Sequence, residues 1–305
     1  MSKVGLAFNG GKESLVVLHQ NLKLDLVVFT IQNPNDFPEI IEYVNYIEKL
    51  FGISILRYLD IKDAILDIRD TYGCKTIIMG NRRTDPGCAN LNTYTETDGS
   101  YPLIMRYNPL IDWTYHQVWN YIEENELPVC PLYENGFTSI GHKLNTFPNY
   151  LLFDPVLPGY KHAKYLDDAN LERIGRIKIN LPLKFSGTIV RGQGLGKQVG
   201  FPTANIHPEL HPHLPDGVYY GEISIYGTKE KMIMSVGKNI HFDSVSSTIE
   251  IHIIQLFQED FYGDQLEINV LGFIRQMAKF SSTDDLVKAI QHDIEIANYS
   301  ITFNT

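Results

Sequence analysis

Between Val4 and Met79 the apolar positions switch repeatedly between two periods. Val4 to Phe8, Leu26 to Phe29, Ser54 to Tyr58 and Thr76 to Met79 are short apolar-rich runs, as strands covered on both faces require. Between them the spacing lengthens to three and four. Leu15, Leu18 and Leu22 mark one helix, Ile40, Ile41, Val44, Ile47 and Leu50 a second within Pro38 to Phe51, and Ile61, Ala64, Ile65 and Ile68 a third. Alternating strands and helices predict an α/β fold with an open parallel sheet, whose ligands bind beyond the carboxyl ends of the strands. Asn9 to Ser14 and Gly80 to Pro86 both follow such ends, so they are expected to share one crevice. Further on, Val118, Trp119 and Ile122 form the packing side of another helix, with Trp113 and Trp119 as core residues.

Beyond residue 184 the texture changes. Gly217 to Tyr226, Lys231 to Val236, Thr248 to Phe257 and Asp264 to Phe273 read as strands with no helix between them, which predicts an antiparallel β-barrel or sandwich. One amphipathic helix closes this part, with Leu286, Ile290, Ile294 and Ala297 on its stripe and Ser282 or Thr283 as cap. Within Thr248 to Phe257, Ile249, Ile251 and Ile253 face one side, and Glu250 and His252 the other. Tyr160 to Lys178, with Ala163, Leu166, Ala169 and Ile174 set among charges, reads as a helix, and Ile179 to Lys184 as a linker containing Pro182. The expected organisation is one domain at 1–178, a linker at 179–184 and a second domain at 185–305.

Composition narrows the partners. At 305 residues the chain is long enough for about two domains, each with its own core. A net charge of −10 argues against a general affinity for nucleic acid or anionic membrane, so any phosphate site must be built from local Arg, Lys and N–H groups. No run approaches the roughly 18 apolar residues of a membrane span, and Met1 to Leu6 lacks the layout of a signal peptide. A cytoplasmic protein is expected. Cys74, Cys88 and Cys130 are odd in number and show no C-x-x-C spacing, so neither a disulfide framework nor a structural zinc site is expected.

Five stretches carry candidate chemistry. In Asn9-Gly10-Gly11-Lys12-Glu13-Ser14, glycines ahead of a helix present free N–H groups and the positive end of the dipole, which suits a pyrophosphate; an ordinary strand-to-helix turn would look the same. Gly80 to Pro86 carries Arg82, Arg83 and Asp85, where exposed arginines are commonly just solvated. Arg173 and Arg176, three apart on the expected helix, would share a face able to clamp a phosphate. In Gly187 to Asn205, Gly192, Gly194, Gly196 and Gly200 let backbone N–H groups approach phosphate oxygens, while Arg191 and Lys197 supply counter-charge. Thr203 and Asn205 share a face and offer hard oxygen ligands for Mg²⁺. For the glycines alone, a hairpin with a proline turn is the commoner reading. Last, Glu250 could serve as a base, although an exposed strand glutamate is commoner.

The strings N-G-G-K-E-S, G-N-R-R-T-D-P, R-Y-N-P-L-I-D-W, L-Y-E-N-G-F-T-S-I-G and L-E-R-I-G-R resemble, in order, eukaryotic-type FAD synthase, the FMN adenylyltransferase of the adenosine-phosphosulfate-reductase-like (adenine nucleotide α-hydrolase-like) fold. The resemblance implies ATP and phosphate binding at Asn9, Gly10, Gly11, Lys12 and Ser14, and roles in adenylyl transfer for Asp85, Arg173 and Arg176. Glu13 stands where that family usually has aspartate. From Gly187 onward the chain resembles riboflavin kinase, through G-x-G-x-G-K followed by Pro202-Thr203-Ala204-Asn205, T-I-E-I-H-I-I and F-Q-E-D-F-Y-G. That resemblance implies phosphate binding at Arg191, Gly192, Gly194, Gly196 and Lys197, Mg²⁺ at Thr203 and Asn205, and Glu250 as general base. It implies flavin contacts at Phe261, Tyr262 and Arg275. The ligands implied are riboflavin, FMN and ATP with FAD as product, without nucleic acid, membrane or an obligate protein partner. Bacterial fused FAD synthases carry a different adenylyltransferase, whose H-x-G-H motif is absent here.

Overall fold

The computed structural model describes residues 3–154, 159–191, 195–208, 214–237, 248–254 and 262–303. The first part alternates as its periodicity requires: β1 (Val4–Ala7), α1 (Lys12–Asn21), β2 (Leu26–Ile31), α2 (Pro38–Phe51), β3 (Ile55–Tyr58), α3 (Ile61–Asp70) and β4 (Thr76–Ile78). Two strands that periodicity does not reveal, β5 (Tyr94–Glu96) and β6 (Met105–Tyr107), precede α4 (Tyr115–Glu124). The sheet runs β3-β2-β1-β4-β6-β5. All pairs are parallel except the edge pair β5 and β6. Strand order reverses between β1 and β4, the place where such sheets open a crevice. One face is filled by Val27 and Phe29 of β2, Ile77 of β4, and Ala64, Ile65 and Ile68 of α3. The last of these helices is started by Asp60, whose carboxylate accepts the N–H of Lys62 at 2.7 Å.

The second part contains a short hairpin, β7 (Phe153–Asp154) with β8 (Gly159–Tyr160), then β9 (Leu183–Val190), the single turn α5 (Leu195–Gln198), β10 (Ala204–Pro208), β11 (Gly217–Ile225), β12 (Thr228–Gly237), β13 (Thr248–Ile253) and β14 (Gln265–Arg275). Six of these strands close an antiparallel barrel in the order β10-β13-β12-β11-β14-β9. Closure decides between the barrel and the sandwich, and it leaves no free edge. Ile249, Ile251 and Ile253 point into the barrel with Tyr219, Met232, Met234 and Leu266. The intervening Glu250 and His252 therefore lie outside the wall, as the alternation requires. The helix α6 (Thr283–Phe303) follows, its cap being Ser282, whose hydroxyl accepts the N–H of Asp285 at 3.1 Å. Among the described residues no helix is long and apolar enough to cross a membrane.

The expected helix over Tyr160 to Lys178 does not form. Its place is taken by short turns at Ala163–Tyr165 and Ala169–Leu171, each started by a side chain that captures a nearby N–H: His162 takes that of Lys164, and Asp168 that of Asn170. Gly175 then pairs in extended fashion, accepting the N–H of Phe147 at 2.9 Å, and Arg176 bridges to Thr146. The chain separates into two compact units, Met1–Lys143 with His162–Arg173, and Leu144–Lys161 with Ile174–Thr305. Ile179, placed in a linker by its sequence context, is buried in the barrel core.

Candidate active sites

In the first unit the segments that follow β1 and β4 meet in a charged cluster. Gly10 has φ +77°, a conformation that favours glycine, and turns the chain from β1 into α1. The Oδ1 of Asn9 accepts the N–H of Gly11 at 2.9 Å. Lys12 opens the helix pointing inward and is only 2% exposed. Its Nζ donates to Glu172 Oε1 at 2.6 Å and to the carbonyl of Thr138 at 3.1 Å, and lies 3.1 Å from Glu13 Oε1. Arg82, equally buried, donates from Nε to Glu13 Oε1 at 2.9 Å and pairs with the other oxygen of Glu172. Its backbone N–H reaches Asp85 Oδ2 at 2.8 Å, and Arg173 lies 3.5 Å from Asp85 Oδ1 and 3.3 Å from the hydroxyl of Ser139.

These groups comprise three cations and three carboxylates, so the cluster carries no net charge of its own. Burial alone would raise the carboxyl of Glu13, but Lys12 and Arg82 beside it hold it below its ordinary value. Asp85 goes the other way. Burial pushes it up, aided by the charges of Glu13 and Glu172, against the N–H and charge of Arg82. Ser14 is buried and donates its hydroxyl to the carbonyl of Gly11 at 2.8 Å.

In the second unit the barrel register assembles the site. Asn205 on β10 stands directly opposite Glu250 on β13, so both side chains leave the same face of the wall. The Thr203 hydroxyl, just ahead of β10, donates to Glu250 Oε2 at 3.3 Å. Gly196 lies against the carbonyl of Phe201 and the side chain of Thr203, an approach that any Cβ would block. Gly196, Phe201, Thr203 and Glu250 border a cavity of about 570 Å³ outside the barrel, walled by Ile233, Arg275 and Met277 and by Leu286 and Ile290 of α6. Burial pushes the carboxyl of Glu250 above its ordinary value, and the Thr203 hydroxyl offsets part of that rise. The oxygen donors of Thr203, Asn205 and Glu250 are of the kind a hard cation accepts. No group of three His, Cys, Asp or Glu able to hold a metal exists among the described residues.

The other expected site residues are placed as follows. Arg275 borders the cavity but is buried in a two-pronged pair with Asp293 of α6, at 2.8 and 2.7 Å. Tyr262 is exposed and does not border the cavity; its ring lies 6.0 Å from the guanidinium of Arg191. Lys197 is exposed. Gly192, Gly194 and Phe261 lie outside the described residues. Arg173 and Arg176 do not share a helical face, because there is no helix; Arg173 belongs to the first unit and Arg176 to the second.

Glu172 and Arg82 were not legible as cluster members. The E-R and R-R pairs that contain them look like solvated surface, and only the long-range contacts reveal the burial. Arg83 does stay exposed, paired with Asp112.

The riboflavin kinase family matches residues 179–301, and the phosphoadenosine phosphosulfate reductase domain family matches residues 61–148. Among curated proteins, the chain is 31% identical over 202 residues to the probable FAD synthase of Schizosaccharomyces pombe, a match covering 61% of this chain and 75% of that protein. It is 42% identical over 124 residues to the riboflavin kinase of Mus musculus, covering 39% of this chain and 80% of the relative. Among solved structures it is similar to Candida glabrata FMN adenylyltransferase in complex with FMN and the ATP analogue AMPCPP. The TM-score is 0.51 at 22% identity, over 58% of this chain and 80% of that one, a likeness of fold.

Proposed function

Because the chain belongs to both the FAD synthase and the riboflavin kinase families, we propose that it makes FAD from riboflavin in two ATP-dependent steps. The second unit phosphorylates riboflavin to FMN, and the first transfers the adenylyl group of a second ATP to FMN. The observation that carries this reading is the convergence of Thr203, Asn205 and Glu250 beside a cavity of about 570 Å³. That volume lies in the range of small-molecule sites.

In the kinase step, Glu250 takes the proton of the riboflavin 5′-hydroxyl as its oxygen attacks the γ-phosphorus of ATP, with ADP leaving. Partial burial makes this carboxylate a better base than an exposed one. Thr203 and Asn205 are the residues that would hold Mg²⁺, which when bound neutralises phosphate charge. Gly196 brings the loop backbone close to Thr203, and the mixed apolar wall from β12 and α6 suits a flat aromatic ring.

In the adenylyl step, an FMN phosphate oxygen attacks the α-phosphorus of ATP and pyrophosphate leaves. Two anions must meet, so the site has to lower their repulsion. The N-terminus of α1 offers the positive end of the helix dipole, although the N–H groups of Gly11 and Lys12 are taken by Asn9 and Tyr133, and Arg173 adds the most accessible cation of the cluster. Arg176 joins it by resemblance alone. The solved relative holding FMN and an ATP analogue supports this choice of substrates.

The fold is shared with sulfonucleotide reductases, which depend on a reactive cysteine. Here Cys130 is fully buried and its thiol is pushed up to about 11 by burial, while burial also raises Cys74 and Cys88. A nucleotide or flavin binder without catalysis in the first unit is the remaining alternative. ATP labelled separately at its γ- and α-phosphates tests the scheme: the γ label is expected in FMN, the α label only in FAD. Absence of the α label from flavin in the presence of FMN would reduce the first unit to a binding module.

A further inference from the structure

Lys12 is the cation that sequence places in the phosphate loop, yet it is only 2% exposed and its ammonium is enclosed by protein groups. Three oxygens surround it, from Glu172, Thr138 and Glu13, and the rings of Tyr115 and Tyr133 lie 4.9 and 5.7 Å away. Even its backbone N–H is used, donating to the Tyr133 hydroxyl at 2.8 Å. Lys12 is thus an internal strut. What it braces is Glu172, 6% exposed, whose carboxylate divides between Lys12 and Arg82.

We propose that Glu172 is a positioning residue for adenylyl transfer, holding the phosphate loop, the loop after β4 and Arg173 in one fixed arrangement. The contacts form a closed ring. From Glu172 the ring runs to Arg82 through their ion pair, from Arg82 to Asp85 through a backbone N–H, from Asp85 to Arg173, and back to Glu172 through the peptide bond. A second tie anchors the same point, because the carbonyl of Glu172 accepts the hydroxyl of Thr138 at 2.6 Å, beside the Ser139 that Arg173 also contacts. Without the carboxylate, Lys12 and Arg82 would share Glu13 alone, and the chain carrying Arg173 would lose its fixed register with the loop. Glu172 touches no reacting atom; it acts through Arg173 and through the posture of α1.

The inference rests on the adenylyl-transfer reading, and its test separates the two. FAD formation from FMN and ATP is measured for the intact chain and for Glu172→Gln, with riboflavin phosphorylation by the same chain as reference and thermal unfolding as the measure of folding. An intact chain that forms no FAD sinks the functional reading before the variant is considered. Given an active chain, Glu172→Gln is expected to lose about 100-fold in kcat, the scale of an ångström-sized misplacement, with the KM for ATP changed less than about threefold. Glu172→Asp restores the charge with a shorter reach and is expected to recover about tenfold of that loss. Two results would overturn the proposal. A folded Gln variant of normal kcat and KM, only melting earlier, would make the cluster merely structural. A lowered KM for ATP with kcat intact would make Lys12 a direct phosphate ligand released by the substitution. If the Gln variant does not fold, the Asp variant decides, since a positioning role requires its kcat to fall and a structural one leaves it unchanged.

Discussion

Glu250 shows how one residue can be read correctly from alternation and still owe its chemistry to the fold. Its outward direction follows from Ile249 and Ile251 pointing into the barrel, but the burial that raises its carboxyl, and the Thr203 hydroxyl that offsets part of the rise, come from the folded surroundings. Glu250→Gln keeps the shape and removes the proposed base. It is expected to lower FMN formation by about 10²- to 10⁴-fold while FMN adenylation stays unchanged, measured as separate initial rates. Loss of both activities would contradict the assignment of steps to units. The pH dependence has a definite sign. A base works when ionised, so FMN formation declines as pH falls through the Glu250 pKa, with an acid limb above the ordinary glutamate value. Thr203→Val removes the hydroxyl that offsets the rise, so the limb should move to higher pH in the kcat/KM profile of the kinase step, and an unmoved limb would assign it to another group. Residues of the other kind, Lys12, Arg82 and Glu172, have roles that alternation cannot show. Nothing local marks a charged residue as buried when its partners lie 69 to 160 positions away.

At the level of elements, periodicity was a good guide wherever one face was buried by neighbours close in sequence. It failed over Tyr160 to Lys178, where capping by His162 and Asp168 and the long-range pairing of Gly175 with Phe147 outweigh helical spacing. It also overlooked Gly80. A Cβ there would stand 2.9 Å from the backbone of Glu13 and Ser14, so glycine is what lets β4 end against the first turn of α1. Gly80→Ala is therefore expected to cost about 1–3 kcal/mol in the first unit and to depress FAD formation from FMN, with FMN formation from riboflavin preserved. Calorimetry together with both rates checks this, and an unaltered melt would mean that the close approach is relieved without cost. The junction of α6 with the barrel supplies a matching prediction for the second unit. Asp293→Ala leaves Arg275 buried and uncompensated, at a cost of about 3–5 kcal/mol. Since α6 carries Leu286 and Ile290 to the cavity wall, the KM for riboflavin should rise as well. Replacing both partners with apolar residues of similar volume should return most of the stability, as judged by urea unfolding.

At the level of the whole chain, the change from mixed to antiparallel texture near residue 184 was legible because period-2 strands and period-3.6 helices leave different patterns. Closure of the barrel was not legible, since the pairing of β9 with β14 joins strands far apart in the chain. Nor were the extents of the compact units, which exchange segments around Leu144 and Ile174. Two units with separate cores and separate charged or polar sites fit the two proposed steps in a protein of net charge −10, where anions have to be met by local groups. The central claim is that both steps occur in this one chain. Chromatography of the flavins after incubating the intact protein with riboflavin, ATP and Mg²⁺ tests it most directly: the account predicts FAD, with FMN as the transient species, whereas accumulation of FMN without FAD would contradict it.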